Sequence, residues 1–208
     1  MKKKESIGYV VLFTFAVCLI FVSLLAVANQ LTLSRVEANR RYATRIAVLK
    51  AFGLADSTTP RAEVESMYEE KIDERRPPSG MEAAFSADID GASFVAVRVT
   101  SPGLWGPITA ILASDPTAER VLGLEILEQQ ETPGLGGRIG EAWFMEQFAG
   151  EKVGLDGKIL VSQGTGKGDA DKENSRVDAV TGASRTSDFI QRLVNLALDS
   201  MGKIGGTL

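Results

Sequence analysis

The stretch from Gly8 to Ala28 contains no charged residue, and nothing else in the chain limits its folding so tightly. At a rise of about 1.5 Å per residue, such a run forms a helix long enough for the ~30 Å hydrocarbon core of a bilayer. All its faces are apolar, which does not suit a helix with one side on a soluble core. Ala26-Val27-Ala28 also offers the small residues of a secretory cleavage site, but the apolar part of a signal is usually only about 7–15 residues. The expectation is a retained single-pass anchor, with residues 1–30 forming a short tip and the span. Lys2, Lys3 and Lys4 favour a cytoplasmic N-terminus, whereas Arg35, Arg40, Arg41 and Arg45 follow the span closely. The charge bias therefore nearly cancels, and orientation is not settled by these residues.

The remainder of the 208 residues suits one globular domain. Residues 31–80 read as a helical connector. Val36, Ala43, Ile46, Val48, Leu49 and Phe52 give it a docking face, and Gly53 a stop. A second helix is expected from Pro60, capped by Thr58 or Thr59, and running into the charged stretch Glu69 to Arg76 as a solvated face. Pro77, Pro78 and Gly80 then break the chain. In residues 81–208, strands are expected at 94–99, 108–112 and 121–127, joined by short links as an antiparallel meander. A helix is expected from Glu141 to Phe148, a short strand at Ile159 and Leu160, and a mobile polar loop from Gly164 to Asn174. The last helix runs from Arg185 to Met201, with Phe189, Leu193, Leu196, Ala197 and Met201 as its buried stripe and Gly202, Gly205 and Gly206 ending it. The fold class is α+β, an antiparallel sheet flanked by helices behind one membrane helix.

Composition removes several chemistries. There is no histidine, so Ser-His-Asp catalysis and His-ligated zinc or haem are excluded. The single cysteine, Cys18, lies in the apolar run, which leaves no CxxC pair and no intramolecular disulfide. A net charge of −4 gives no support to nucleic-acid binding. Any redox work must be carried by an organic cofactor. Three motif candidates fail on spacing. Gly166-Lys167 is followed by Gly168, so there is no P-loop. Asp169, Asp171 and Glu173 lack the glycine and closing Glu of a calcium loop, which fall on Asn174 and Val180. After Gly134 and Gly136, the third glycine of a dinucleotide fingerprint falls on Ile139.

What is left is Asp178-Ala179-Val180-Thr181-Gly182-Ala183-Ser184, placed where the last helix begins. The first amides of a helix lack intrahelical partners and carry the positive end of its dipole, so a phosphate is a natural guest. Gly182 and Ala183 keep bulk away, and Ser184 puts a hydroxyl at the anion site. The alternative is an ordinary turn and N-cap. A second low-bulk loop, Glu131-Thr132-Pro133-Gly134-Leu135-Gly136-Gly137, presents one apolar knob, Leu135, and equally suits a plain turn. Gly103-Leu104-Trp105-Gly106-Pro107 places a tryptophan between two glycines.

Together these stretches resemble the FMN-binding domain family, which includes the G-type subunits of Rnf electron-transport complexes and the C-type subunits of sodium-pumping NADH:quinone reductases. The Asp178–Ser184 stretch is similar to the family's flavinylation motif, in which a flavin transferase esterifies the FMN phosphate onto the last hydroxyl. Ser184 stands where the family more often has Thr. The resemblance implies covalent FMN on Ser184, cofactor binding also by Asp178, Thr181, Gly182 and Ala183, and a ring lying against Leu104, Trp105, Thr132, Pro133, Gly134, Leu135 and Gly136. It further implies an electron-relaying subunit in a bacterial or archaeal cytoplasmic membrane, with the C-terminal domain on the extracytoplasmic side and other membrane subunits as partners. The short length is more similar to the Rnf type, so the expected function is a ferredoxin- and NAD-linked Rnf-type subunit; the alternatives are the C-type subunit, a stand-alone extracytoplasmic flavin carrier, or a membrane-anchored assembly module without flavin.

Overall fold

The computed structural model describes residues 6–205, with side chains to residue 202. Lys2, Lys3, Lys4 and Gly206 lie outside the described residues. The chain divides into two compact units, residues 1–42 and residues 43–208. The first unit is helical from Ile7 on. Helix α1 (Ile7–Ala51) runs without a break through the apolar stretch, which stays exposed and is long and apolar enough to cross a membrane.

In the second unit the last turns of α1 bury Ala47, Val48, Leu49 and Ala51, followed by Phe52. Val36 and Ala43, expected on a docking face, are exposed. Helix α2 (Arg61–Lys71) starts after Pro60, with no side-chain cap. Thr58 and Thr59 instead close a turn on Asp56, whose Oδ1 accepts the Thr58 amide at 2.7 Å. The charged run after α2 is not one solvated helix face. The chain passes directly into strand β1 (Ile72–Arg75), of which only Ile72 is buried.

Five strands form the sheet in chain order: β1, β2 (Ala83–Ile89), β3 (Ala92–Pro102), β4 (Pro107–Ser114) and β5 (Val121–Glu128), each antiparallel to the next. Asp90 and Gly91, both at positive φ, make the β2–β3 turn, where the left-handed backbone matches the strands' twist. Ala84, Val95, Val97, Val99, Ile108, Ala110 and Leu112 face the larger core, where helix α4 (Ser184–Gly205) packs on β3 and β4. That core also holds Phe144 and Phe148, packed edge to face. The other face is covered as well. A Cβ on Gly123 would sit 2.7 Å from the Ala51 carbonyl oxygen, and Lys50 pairs with Glu125 at 2.6 Å. A sheet covered on both faces needs no polar alternation, which is why β4 is buried at seven successive positions.

The expected helix at 141–148 is one α turn, α3 (Ala142–Met145), flanked by 3-10 turns. The short strand is β6 (Leu160–Ser162), which pairs in parallel with β7 (Arg176–Asp178). The loop between them is pinned rather than mobile. Asp178 Oδ2 accepts the Gly166 amide and the Thr165 hydroxyl, and Gln147 Oε1 accepts the Asp169 amide. On α4 the buried apolar residues are Ile190, Leu193, Val194, Ala197, Leu198 and Met201, whereas Leu196 is exposed. Gly202 lies within that helix and does not end it.

Candidate functional site

The chain leaves β7 at Asp178 and turns at Gly182, whose φ of +80° is the left-handed region that glycine enters without strain. It then enters α4 at Ser184. The turn is held from inside. Val180 donates its amide to Ser187 Oγ, and Ala183 accepts the Ser187 amide as the first helical bond. The amides of Ser184, Arg185 and Thr186 precede that bond and belong to the set a helix cannot satisfy internally.

A shallow cavity of about 280 Å³ opens on this helix start. Leu104, Thr132, Leu135, Gly136, Gly182, Ala183 and Ser184, all expected at one site, line it together with Glu131, Arg185 and Thr186. Three segments distant in sequence therefore meet at one place. Trp105, Pro133, Gly134, Asp178 and Thr181 do not line the cavity. Trp105 stands 68% exposed beside Leu104, and Pro133, Gly134 and Thr181 are exposed near the rim segments. Asp178 is buried under the turn, where it holds the 165–166 backbone. A Cβ on Gly164 would lie 1.6 Å from Asp178 Oδ1, so that loop closes on the carboxylate only because glycine stands there.

Glu131 is the residue that sequence reasoning did not single out as part of the site. Its side chain is buried. Oε1 accepts the backbone amides of Leu104 at 2.7 Å and Trp105 at 3.2 Å, while Oε2 accepts the Thr186 hydroxyl at 2.6 Å. It ties the tryptophan-bearing turn to the first turn of α4. Two glycines make room for it. A Cβ on Gly103 would lie 2.6 Å from Oε1, and one on Gly136 would lie 2.9 Å from Oε2. The signal was an acid opening a loop of small residues, but a lone Glu in a loop is usually solvated.

The hydroxyls around the turn are not equivalent. Thr186 and Ser187 are buried and donate to Glu131 and to the Ala183 carbonyl. Thr132 and Ser184 line the cavity and are exposed. Of these two, Ser184 opens α4, where unpaired amides and Arg185 favour an anion. Beside it stand exposed apolar side chains, Leu104 at 45% and Leu135 at 47%. An anion seat next to an apolar shelf, bordered by small residues, suits a flat aromatic ligand carrying a phosphate. A flavin mononucleotide has that chemistry. The cavity is shallow and leaves much of such a molecule open to solvent.

Comparison with known proteins agrees with this chemistry. Residues 103–199 match the family model of the FMN-binding domain. Among curated proteins, the C-type subunit of the Na(+)-translocating NADH-quinone reductase of Neisseria meningitidis is 38% identical over 89 residues, 43% of this chain and 34% of that protein. The corresponding protein of Vibrio anguillarum is 34% identical over 114 residues, 54% of this chain and 44% of that protein. The matched segments thus span well under half the length of these relatives. Two solved structures share the fold. The C-type subunit of the Na(+)-translocating NADH-quinone reductase from Parabacteroides distasonis covers 81% of this chain and 94% of its own at a TM-score of 0.65 and 22% identity. NqrC of Shewanella oneidensis covers 82% of this chain and all of its own at a TM-score of 0.68 and 18% identity. At those identities the likeness bears on architecture alone, an α+β fold with an antiparallel sheet flanked by helices.

Proposed function

We propose that this chain is the membrane-anchored, FMN-carrying redox subunit of an ion-translocating oxidoreductase, of the NADH–quinone reductase kind that its relatives' names describe. The observation that carries this reading is Ser184, an exposed hydroxyl at the start of α4 on the wall of a cavity lined by residues of the FMN-binding domain. When bound, FMN supplies reversible one- and two-electron chemistry that the side chains of a histidine-free chain do not provide.

The chain's own residues hold and expose it. Ser184 Oγ is the point of phosphoester attachment, made by a flavin transferase. The first amides of α4 and Arg185 stabilise the phosphate charge. Gly182 and Ala183 carry the turn, Asp178 anchors it from beneath, and Thr181 flanks it. Leu104, Trp105 and Leu135 give the ring apolar surface, while Thr132, Pro133, Gly134 and Gly136 keep the backbone close and small. A tether keeps the local cofactor concentration high without a deep pocket, and an open ring leaves electron exchange with neighbouring subunits possible. The apolar part of α1 is the anchor, in a bacterial or archaeal cytoplasmic membrane with the domain outside. Residues 1–30 serve as tip and span, 31–80 as connector and 81–208 as the flavin domain.

A second reading is the Rnf-type subunit linked to ferredoxin and NAD, which the motif stretches at 103–107, 131–136 and 178–184 also resemble. Purification of the full chain in detergent after co-expression with a flavin transferase tests both. A flavin absorption spectrum that bleaches with dithionite and returns in air is expected. Copurifying subunits that oxidise NADH with quinone, or reduce NAD with ferredoxin, then separate the two complexes. A colourless, flavin-free protein would instead identify an assembly module.

A further inference from the structure

We infer that Glu131 is a positioning residue for the flavin site: it clamps the Leu104–Trp105 turn to the first turn of α4 and sets a fixed negative charge in the cavity wall that lowers the flavin's midpoint potential. The inference rests on the FMN reading above. Its physical basis is local. A buried carboxylate whose two oxygens accept two amides and one hydroxyl is held on both sides at once. Hydrogen bonds to a charged acceptor are stronger than neutral ones, so the clasp is rigid. Without it, two amides and one hydroxyl at the site would need new partners.

The packing around Glu131 leaves it one position. Gly103 and Gly136 each stand where a Cβ would come within 3 Å of one of its oxygens. Gly136 lines the cavity and Gly103 precedes Leu104, which does, so small residues at its edge also admit the carboxylate. Thr186 completes the arrangement, since its buried hydroxyl has Glu131 as acceptor while Ser184, two residues earlier, remains exposed. Electrostatics supplies the second consequence. Reduction adds electron density beside a negative group in a partly desolvated wall, and like charge disfavours that addition.

Three variants of the full chain separate these effects, each measured in detergent after co-expression with a flavin transferase. Glu131→Gln keeps one carbonyl acceptor for the amides and removes the charge. Glu131→Ala removes the clasp, and Thr186→Val removes only its helix end. Amide hydrogen exchange at Leu104 and Trp105, with β4 amides as the internal reference, reads position. Spectroelectrochemical titration reads the potential, and intact mass reads flavin content. In Glu131→Ala, protection at Leu104 and Trp105 should fall at least tenfold relative to β4, with a smaller fall in Thr186→Val. In Glu131→Gln, which should keep its flavin and most of that protection, the midpoint potential should move to a more positive value. Unchanged exchange in Glu131→Ala, or an unchanged potential in Glu131→Gln, would overturn the inference. A wild-type chain without FMN would defeat the functional reading instead, and the exchange measurement, which needs no flavin, would still decide whether Glu131 clamps the turn.

Discussion

Adding one methyl group at Gly103 should damage the site more than its size suggests. A Cβ there would lie 2.6 Å from the Gly106 carbonyl oxygen, 2.6 Å from Glu131 Oε1 and 2.9 Å from Ile108 Cδ1. The first is backbone in a turn already closed by the Gly103 amide on that same carbonyl at 2.8 Å. The second is a buried carboxylate engaged on both oxygens. Overpacking of this kind costs about 1–3 kcal/mol. If the turn relieves the clash by moving off Glu131, it forfeits a charged hydrogen bond worth about 1.5–3 kcal/mol instead. Gly103→Ala should therefore destabilise the domain by roughly 1–3 kcal/mol, a sizeable part of a typical ~5–15 kcal/mol total. Gly140→Ala is the matched control, because a Cβ there meets nothing within 4 Å. It should be neutral or stabilise by about 0.4–1 kcal/mol through the unfolded state. Urea titration of both variants, followed by tryptophan fluorescence, gives the difference. Two variants within about 0.5 kcal/mol of each other would show that the turn is not packed against Glu131 as described.

Other consequences are as direct. Phe148→Ala, in the fully buried aromatic cluster, should cost about 3–5 kcal/mol in the same titration. Burial raises the Glu151 carboxyl above the ordinary range, and its Oε2 has no hydrogen-bond partner among the described residues, so ionising it opposes folding. A group with a raised folded-state value stabilises below the unfolded value, about 4.3, and loses that contribution as pH rises. Glu151→Gln should thus be more stable than the wild type at pH 7, with the advantage shrinking toward pH 4, as thermal melts across that range will report. Asp178→Ala, which strips the Gly166 amide and Thr165 hydroxyl of their acceptor, should speed proteolytic cleavage within residues 164–174 severalfold.

How much of this was open to a reader of the sequence depended on where the partners lie. The apolar run, the strands around Val97, Leu112 and Leu124, and the amphipathic last helix are local patterns, and each is found where periodicity placed it. Strand β2 was hidden because Ala83–Ile89 is covered on both faces and shows no alternation. The Asp90-Gly91 turn that follows it was a legible hairpin signal. Strand β1 was hidden because an edge strand with one buried residue looks like a charged helix end. The short strand β6 was expected from Ile159 and Leu160, but its parallel partner β7, three residues across a long loop, carries no period. At the site, the motif stretches could be named but their meeting could not be derived. Glu131 shows why: its partners Leu104 and Thr186 lie on segments far away in sequence, and only the folded sheet brings them to it.

Attachment at Ser184 is best tested by intact mass and peptide mapping of the full chain after co-expression with a flavin transferase, beside Ser184→Ala and Ser184→Thr. The expected result is a wild-type mass higher by one FMN phosphoester, located on the peptide containing Ser184, retained in Ser184→Thr and absent from Ser184→Ala. Flavin mapped to Thr132 or Thr181, or a wild-type chain of unmodified mass while a threonine-bearing relative is modified in parallel, would contradict it.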